Sequence, residues 1–241
     1  PRSVRIGAGP PGTAVVDPLS DDLADKISRV NGIESAFNRY IESATIEFND
    51  RQEIRFAASV PEGESRKIFE TMVNLKTEEG RLLKDGDSKK VVLGNNFKED
   101  GAFGKGIKVG DKILIKGIDF EVVGILEKKG SFIFDNNMLM NEQTIIDVLG
   151  AEKDKVDVVA VKVDDVSRLN EIKENIEKLL RKERNVEKGE ENFQVQSPQQ
   201  IIGTLNSTLF AVQLFVYIIA AISLAVGGIG IMNTMYTSVL E

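Results

Sequence analysis

The sequence predicts an α+β fold in which α/β pieces flank a mostly β middle, followed by one long C-terminal helix that crosses a membrane. Three observations carry this. Every Asp, Glu, Lys and Arg except Glu241 lies before Asn192, so charge and hydrophobicity are segregated along the chain. The run from Leu209 to Met235 is apolar and exceeds the ~20 residues a helix needs to span a bilayer core. Short β-rich segments at barrel-like spacing crowd the middle, while helical periodicity returns on either side.

The elements follow in order. Leu19-Ser20-Asp21-Asp22 reads as a helix start with Ser20 as N-cap and acids in the first turn. Leu23, Ile27 and Val30 mark its apolar face, and Asn31-Gly32 stops it. Ala44 to Phe48 and Ile54 to Val60 read as strands about the turn Asn49-Asp50, with a short helix from Glu64 to Val73. Lys90 to Gly94, Lys112 to Lys116 and Phe120 to Leu126 are strands, separated by turns at Lys108-Val109-Gly110-Asp111 and Gly117-Ile118-Asp119. Asn141 caps a helix ending at Leu149, with Gly150 beyond it. Val156 to Val163 is a strand, and Asp165 caps a helix to about Glu183 whose buried stripe is Val166, Leu169, Ile172, Ile176, Leu179 and Leu180. After a polar loop and a last strand, Phe193 to Gln196, comes a strong helix start. Ser197 is the N-cap, Pro198 fits the first turn, and Gln200 completes a capping box.

This gives four segments: 1–75 and 156–197 as two halves of one α/β domain, 76–155 as a β-rich insertion, and 198–241 as a long helix. Both chain ends look cut, as in a piece of a longer membrane protein. No further proline and no charge separates the Ser197-Pro198 helix start from the apolar run, so one continuous helix is expected, with a break between Gly203 and Ser207 as the alternative. The face bearing Ile201, Ile202 and Leu205, together with Ser197, is then the candidate for coupling helix to domain.

Composition excludes much chemistry. With no Cys and no His, the chain has no disulfide, no Cys nucleophile, no His base and no zinc site built on either residue. A net charge of −7 argues against nucleic acid as a partner. Gly7-Ala8-Gly9-Pro10-Pro11-Gly12 matches a dinucleotide-binding pattern, but its prolines deny the phosphate the amides of a helix start. Gly101-Ala102-Phe103-Gly104-Lys105-Gly106 lacks Walker spacing and reads as a turn, and Asn206-Ser207-Thr208 is a formal glycosylation sequon. No catalytic, cofactor or metal site is expected. Small residues at Ala221/Ala225 and Ser223/Gly227, with Gly228 and Gly230, have the spacing that lets membrane helices approach closely.

The string Ile222 to Asn233, followed by Ser238-Val239-Leu240-Glu241, resembles the second transmembrane helix of MacB/FtsX-type ABC transporter permeases. Upstream, Leu19 to Asp22 with Val30-Asn31-Gly32-Ile33-Glu34, then Glu79-Gly80-Arg81, Val92-Leu93-Gly94, Val109-Gly110-Asp111 and Phe120 to Leu126, resemble that family's blocks in order. The resemblance implies a split porter-like α/β domain with an inserted, mostly β, sabre-like subdomain, outside the cytoplasm. It also implies four transmembrane helices in a multi-pass cell-membrane protein, with this domain between the first and second. Further implied are a homodimer or paired permease, contact with lipid, a separate or fused ABC ATPase that binds ATP, and an extracytoplasmic protein partner. ATP hydrolysis would then drive export or extraction of substrate. The alternative is a non-transporting module that regulates an outer partner such as a cell-wall hydrolase.

Overall fold

The computed structural model describes residues 3–8 and 18–240; side chains at 132–133, 198–199, 201–208, 233–234 and 236–240 lie outside that description. The chain forms two compact units, Pro1–Gln196 and Ser197–Glu241.

Strand β1 (Ser3–Gly7) opens the first unit, burying Val4 and Ile6. A two-residue strand, β2 (Leu19–Ser20), precedes helix α1 (Leu23–Ser28). Ser20 is therefore a strand residue and not the helix cap. Its hydroxyl donates to Asp22 Oδ1 at 2.6 Å, and Asp22 stands at the cap position. Gly32, at φ 93°, turns the chain into β3 (Ile33–Arg39), a strand that local sequence does not announce. Strands β4 (Ile41–Phe48) and β5 (Arg51–Val60) form a hairpin about Asn49 and Asp50, both at positive φ as a type I′ turn requires.

Helix α2 (Glu64–Met72) is followed by β6 (Thr77–Gly80), β7 (Lys90–Leu93), β8 (Lys112–Ile115) and β9 (Ile118–Leu126). The β8–β9 turn is Lys116-Gly117, both at positive φ, one residue before the expected Gly117-Ile118-Asp119. Next come α3 (Phe132–Asp135), β10 (Met138–Asn141) and α4 (Glu142–Thr144), which widens into a π-turn, Ile145–Leu149, closed by left-handed Gly150. The unit ends with β11 (Lys155–Val156), β12 (Val158–Val163), α5 (Leu169–Arg184) and β13 (Gln194–Gln196). Asp165 does cap, accepting the Ser167 N–H at 2.8 Å, but it starts a single 3-10 turn before α5. Ile172, Ile176 and Leu180 are fully buried, Leu169 and Leu179 half-buried, and Val166 exposed. Val166 therefore drops out of the stripe, because it precedes the α-helical phase.

Strands β13–β1–β12–β3 form an antiparallel sheet, so β1-α1-β3 and β12-α5-β13 together make a β-α-β-β-α-β unit. Lys26 of α1 and Glu183 of α5 pair across its helices. In register, Arg39 sits opposite Val158, so everything from Tyr40 to Asp157 occupies the place of a hairpin loop. The inserted strands order as β6–β9–β7–β10–β5–β4–β8, and the further β8–β9 pairing closes six of them into a barrel with β6 beside β9. The expected boundary at residue 76 thus cuts through one sheet. Strands β4 and β5 belong to the barrel, and the division between sheets falls at Tyr40 and Asp157. Period-2 alternation sorts the barrel's side chains. Val91, Leu93, Val122, Met138 and Met140 share one cluster, while Val92, Val123 and Leu139 pack with Phe69 of α2 in another.

Both crossings between sheet and barrel are tied down. The Ile41 N–H donates to Asp157 Oδ2 at 2.8 Å, the Tyr40 hydroxyl to the Lys153 carbonyl at 2.7 Å, and Arg39 Nε to the Ser59 carbonyl at 2.8 Å. Burial pushes the Tyr40 phenol up to about 12 and the Arg39 guanidinium down to about 10, and it raises the Asp157 carboxyl.

The second unit is one helix, α6 (Pro198–Leu240), of 43 residues.

Candidate functional site in the C-terminal helix

The capping box forms as the residue types require. The Gln200 N–H donates to Ser197 Oγ at 3.3 Å, and the Ser197 N–H donates to Gln200 Oε1 at 3.0 Å. Two otherwise orphaned amides are satisfied one residue after β13 ends. From there α6 continues without interruption through Gly203 to Ser207, so the break considered from sequence is not present. At about 1.5 Å per residue the helix is roughly 65 Å long, about twice a bilayer's hydrocarbon core. Leu209–Met232, 24 residues, is long and apolar enough to cross that core, and none of it is buried against the rest of the chain. The side chains of Ile201, Ile202 and Leu205 lie outside the described residues.

The helical phase resolves the small residues into two groups. At 100° per residue, Ala221, Ala225 and Gly228 fall on one side and Ser223, Gly227 and Gly230 on the other. Each group is a ridge-free strip against which another helix can lie closely. A Cβ built at Gly227, Gly228 or Gly230 meets nothing within 4 Å, so no crowding within this chain requires glycine at these positions. Ser223 turns its hydroxyl back to the Ile219 carbonyl at 2.9 Å, hiding a polar group that lipid could not satisfy.

The motif residues of the outer domain serve the barrel. Gly80 pairs with Gly124, and a Cβ at Gly124 would collide with the Arg81 carbonyl. A Cβ at Gly94 would strike the Phe134–Asp135 backbone. Gly110 turns at φ 91°. Arg81 grips Asp87 through Nη1 at 2.6 Å and Nη2 at 3.2 Å, and Lys90 adds an ammonium at 3.1 Å. Asn141 is not a side-chain cap. Buried at the end of β10, it accepts from Arg66 Nη2 at 2.9 Å and donates to the carbonyls of Lys84 at 2.9 Å and Asp87 at 3.2 Å. This hub joins α2, β10 and the 82–89 loop, and it needs a side chain with both donor and acceptor, as the Asn amide has. Its local spacing signalled a helix start and gave no hint of Arg66.

One of the two phosphate-like patterns is a closed turn. Gly106 donates its N–H to Asp100 Oδ1 at 2.8 Å, so a carboxylate fills the Gly101–Gly106 turn. In the other pattern, β1 ends at Gly7, and Gly9 to Gly12 lie outside the described residues. Among the described residues no cluster of acids could hold a metal ion.

Comparison with known proteins agrees with this architecture. Residues 1–179 match the family model of the MacB-like periplasmic core domain. An uncharacterized ABC transporter permease of Methanocaldococcus jannaschii is 33% identical over 89% of this chain and 52% of its own length. The macrolide export ATP-binding/permease protein MacB of Bdellovibrio bacteriovorus is 30% identical over 67% of this chain and 26% of its own. The chain thus spans about half of the first relative and about a quarter of the second. The periplasmic region of MacB from Actinobacillus actinomycetemcomitans superposes with a TM-score of 0.61 at 16% identity, covering 85% of this chain and 92% of that one. The extracellular domain of the transporter YknZ from Gram-positive bacteria gives 0.59 at 15% identity, over 81% and 100%. Sheet, closed insertion and apolar helix, with the family match across most of the first two, place this chain in the MacB-like family of ABC transporter permeases, as a bearer of its periplasmic core domain.

Proposed function

We propose that this chain is the part of a permease that turns ATP hydrolysis by a cytoplasmic ABC ATPase into motion of an extracytoplasmic domain, for export or extraction of a substrate. Residues before about Gln200 lie outside the cytoplasm and Glu241 lies inside, in a multi-pass protein of the cell membrane that works as a pair. In this reading the nucleotide and the catalytic groups belong to the ATPase.

The observation that supports this reading is the unbroken, capped helix α6, which follows the last strand in sequence after one residue and runs on through the whole apolar segment. A rigid helix of that length passes on axial displacement or tilt, whereas a flexible linker would dissipate it. Inserting a Gly-Ser segment after Asn206 in the full permease leaves folding and ATP hydrolysis intact and abolishes the outer-domain function. Full function with that insertion would reduce α6 to a tether. Orientation is tested separately with Ser88→Cys at an exposed loop position, which reacts with an impermeant thiol reagent in intact cells. Labelling only after lysis would reverse the topology.

A further inference from the structure

Strand β5 is twice as well paired at one end as at the other. It pairs with β4 from Arg51 to Ala58, but β10 reaches only Ala57 to Val60. From Arg51 to Phe56, among the described residues, one edge is open. The hydrogen-bond phase shows which residues face that edge. Ser59 donates its N–H to the Tyr40 carbonyl, and Lys116 donates to the Thr45 carbonyl on the far side of β4. Pairs two apart from Tyr40–Ser59 are therefore the bonded ones, and Gln52, Ile54 and Phe56 turn N–H and C=O outward. The same residues carry exposed side chains: Ile54 is 70% and Phe56 40% exposed, opposite Thr45 and Ser43 of β4. No proline or lysine protects this edge, as exposed edges usually require.

The charges identify the occupant. Arg51-Gln52-Glu53-Ile54-Arg55-Phe56 is self-complementary about Ile54. If a second copy lies antiparallel with Ile54 opposite its twin, Glu53 faces the partner's Arg55 and Arg55 the partner's Glu53. Ile54 meets Ile54 on the other face, and Gln52 lies opposite Phe56. Within one chain Glu53 and Arg55 lie 3.8 Å apart, a long contact for neighbours on one strand face, and both are partly exposed. Across a dimer they would sit directly opposite in the closer, non-hydrogen-bonded kind of pair. Like charges here would have blocked the edge; alternating signs make it a template for itself. We propose that two copies of the outer domain join edge to edge through β5 with Ile54 on the two-fold axis, forming about six backbone hydrogen bonds. Such pairing needs no energy from the ATPase, so it stands or falls apart from the coupling reading.

The test uses the full permease, freed of any other cysteine, in its membrane. Residues opposite in a bonded pair lie about 5.5 Å apart, within disulfide reach, so Ile54→Cys crosslinks to its twin at least about ten-fold faster than Ser88→Cys. Gln52→Cys alone, about 14 Å from its copy, does not crosslink, but mixed with Phe56→Cys it does. Glu53→Arg slows Ile54→Cys crosslinking by about five-fold, and Glu53→Arg with Arg55→Glu restores it. An Ile54→Cys rate no higher than that of Ser88→Cys would overturn the proposal. So would self-crosslinking of Gln52→Cys, or a bond from Ile54→Cys to a different polypeptide.

Discussion

Removing the Asn141 side chain decides whether this residue caps a helix or holds a loop in place. In Asn141→Ala, Arg66 Nη2 loses its acceptor, and the carbonyls of Lys84 and Asp87 lose their donor. Asn141 is 2% exposed, so water does not simply replace it. Arg66 suffers most. Its Nη1 already has no partner among the described residues, and only its Nε bond to Asp85, at 3.0 Å, would remain. An orphaned buried group costs about 1–3 kcal/mol, more when charged, and the two carbonyls fall at the lower end. The sum is about 3–5 kcal/mol. Loss of an N-cap alone costs about 1 kcal/mol. For a domain of this size each kcal/mol shifts the unfolding midpoint by roughly 2–4 °C, so the two accounts differ by about 10 °C against about 3 °C. Thermal unfolding of the purified chain in detergent, followed in the near-ultraviolet circular dichroism of buried Tyr40, measures the difference. A companion Arg66→Met and the double variant complete a cycle whose coupling should reach at least about 1 kcal/mol. A midpoint drop of about 3 °C or less, with additive effects, would refute the hub.

Three further outcomes follow from the same geometry. Hydrogen bonds from Arg81, foremost, hold the Asp87 carboxyl well below the ordinary carboxylate range. A depressed folded value means stabilisation that is complete above the unfolded pKa near 4 and lost as pH falls below it, so Asp87→Asn flattens the acid limb of stability against pH; an unchanged limb would discount the Arg81 grip. Ser197→Ala removes one half of the capping box and costs about 1 kcal/mol at the helix start, seen as faster amide exchange at Gln200; unaltered exchange there would show that the cap is idle. Gly228→Leu, on the Ala221/Ala225 side, and Gly227→Leu, on the Ser223 side, each impair assembly or coupled ATPase activity while the outer domain stays folded; tolerance at both positions would make the two strips mere lipid-facing surface.

Local signals located most elements and failed where the stabilising partner is remote. Asn49-Asp50, the stripe Ile172-Ile176-Leu180 and the Ser197–Gln200 box are short-range chemistry, and each is where its spacing placed it. Strands β1 and β3 carry few β-branched residues and exist because β12 runs between them, over 100 residues later. For the same reason the limit set at residue 76 misassigned the β4–β5 hairpin, whose neighbour β10 begins at Met138. Asn141 misled in the opposite sense. Its spacing was right for a cap, but Arg66, 75 residues upstream, claimed the side chain. On α6 the small residues were visible as a pattern, while their division into two opposed sides needed the helical phase.

The adjacency of Arg39 and Val158 has a consequence for how the domain comes to exist. Those two residues close a loop of more than 100 residues, and joining the ends of so long a flexible chain is among the costlier entropic steps in folding. The barrel shortens that loop. Once its six strands have closed, Tyr40 and Asp157 emerge side by side, and the outer pair of strands need only zip from a pre-formed corner. Assembly is then expected to run from the inside outward, with β1 and β13 the last to meet, so that translation must pass Val195 before the sheet can be complete.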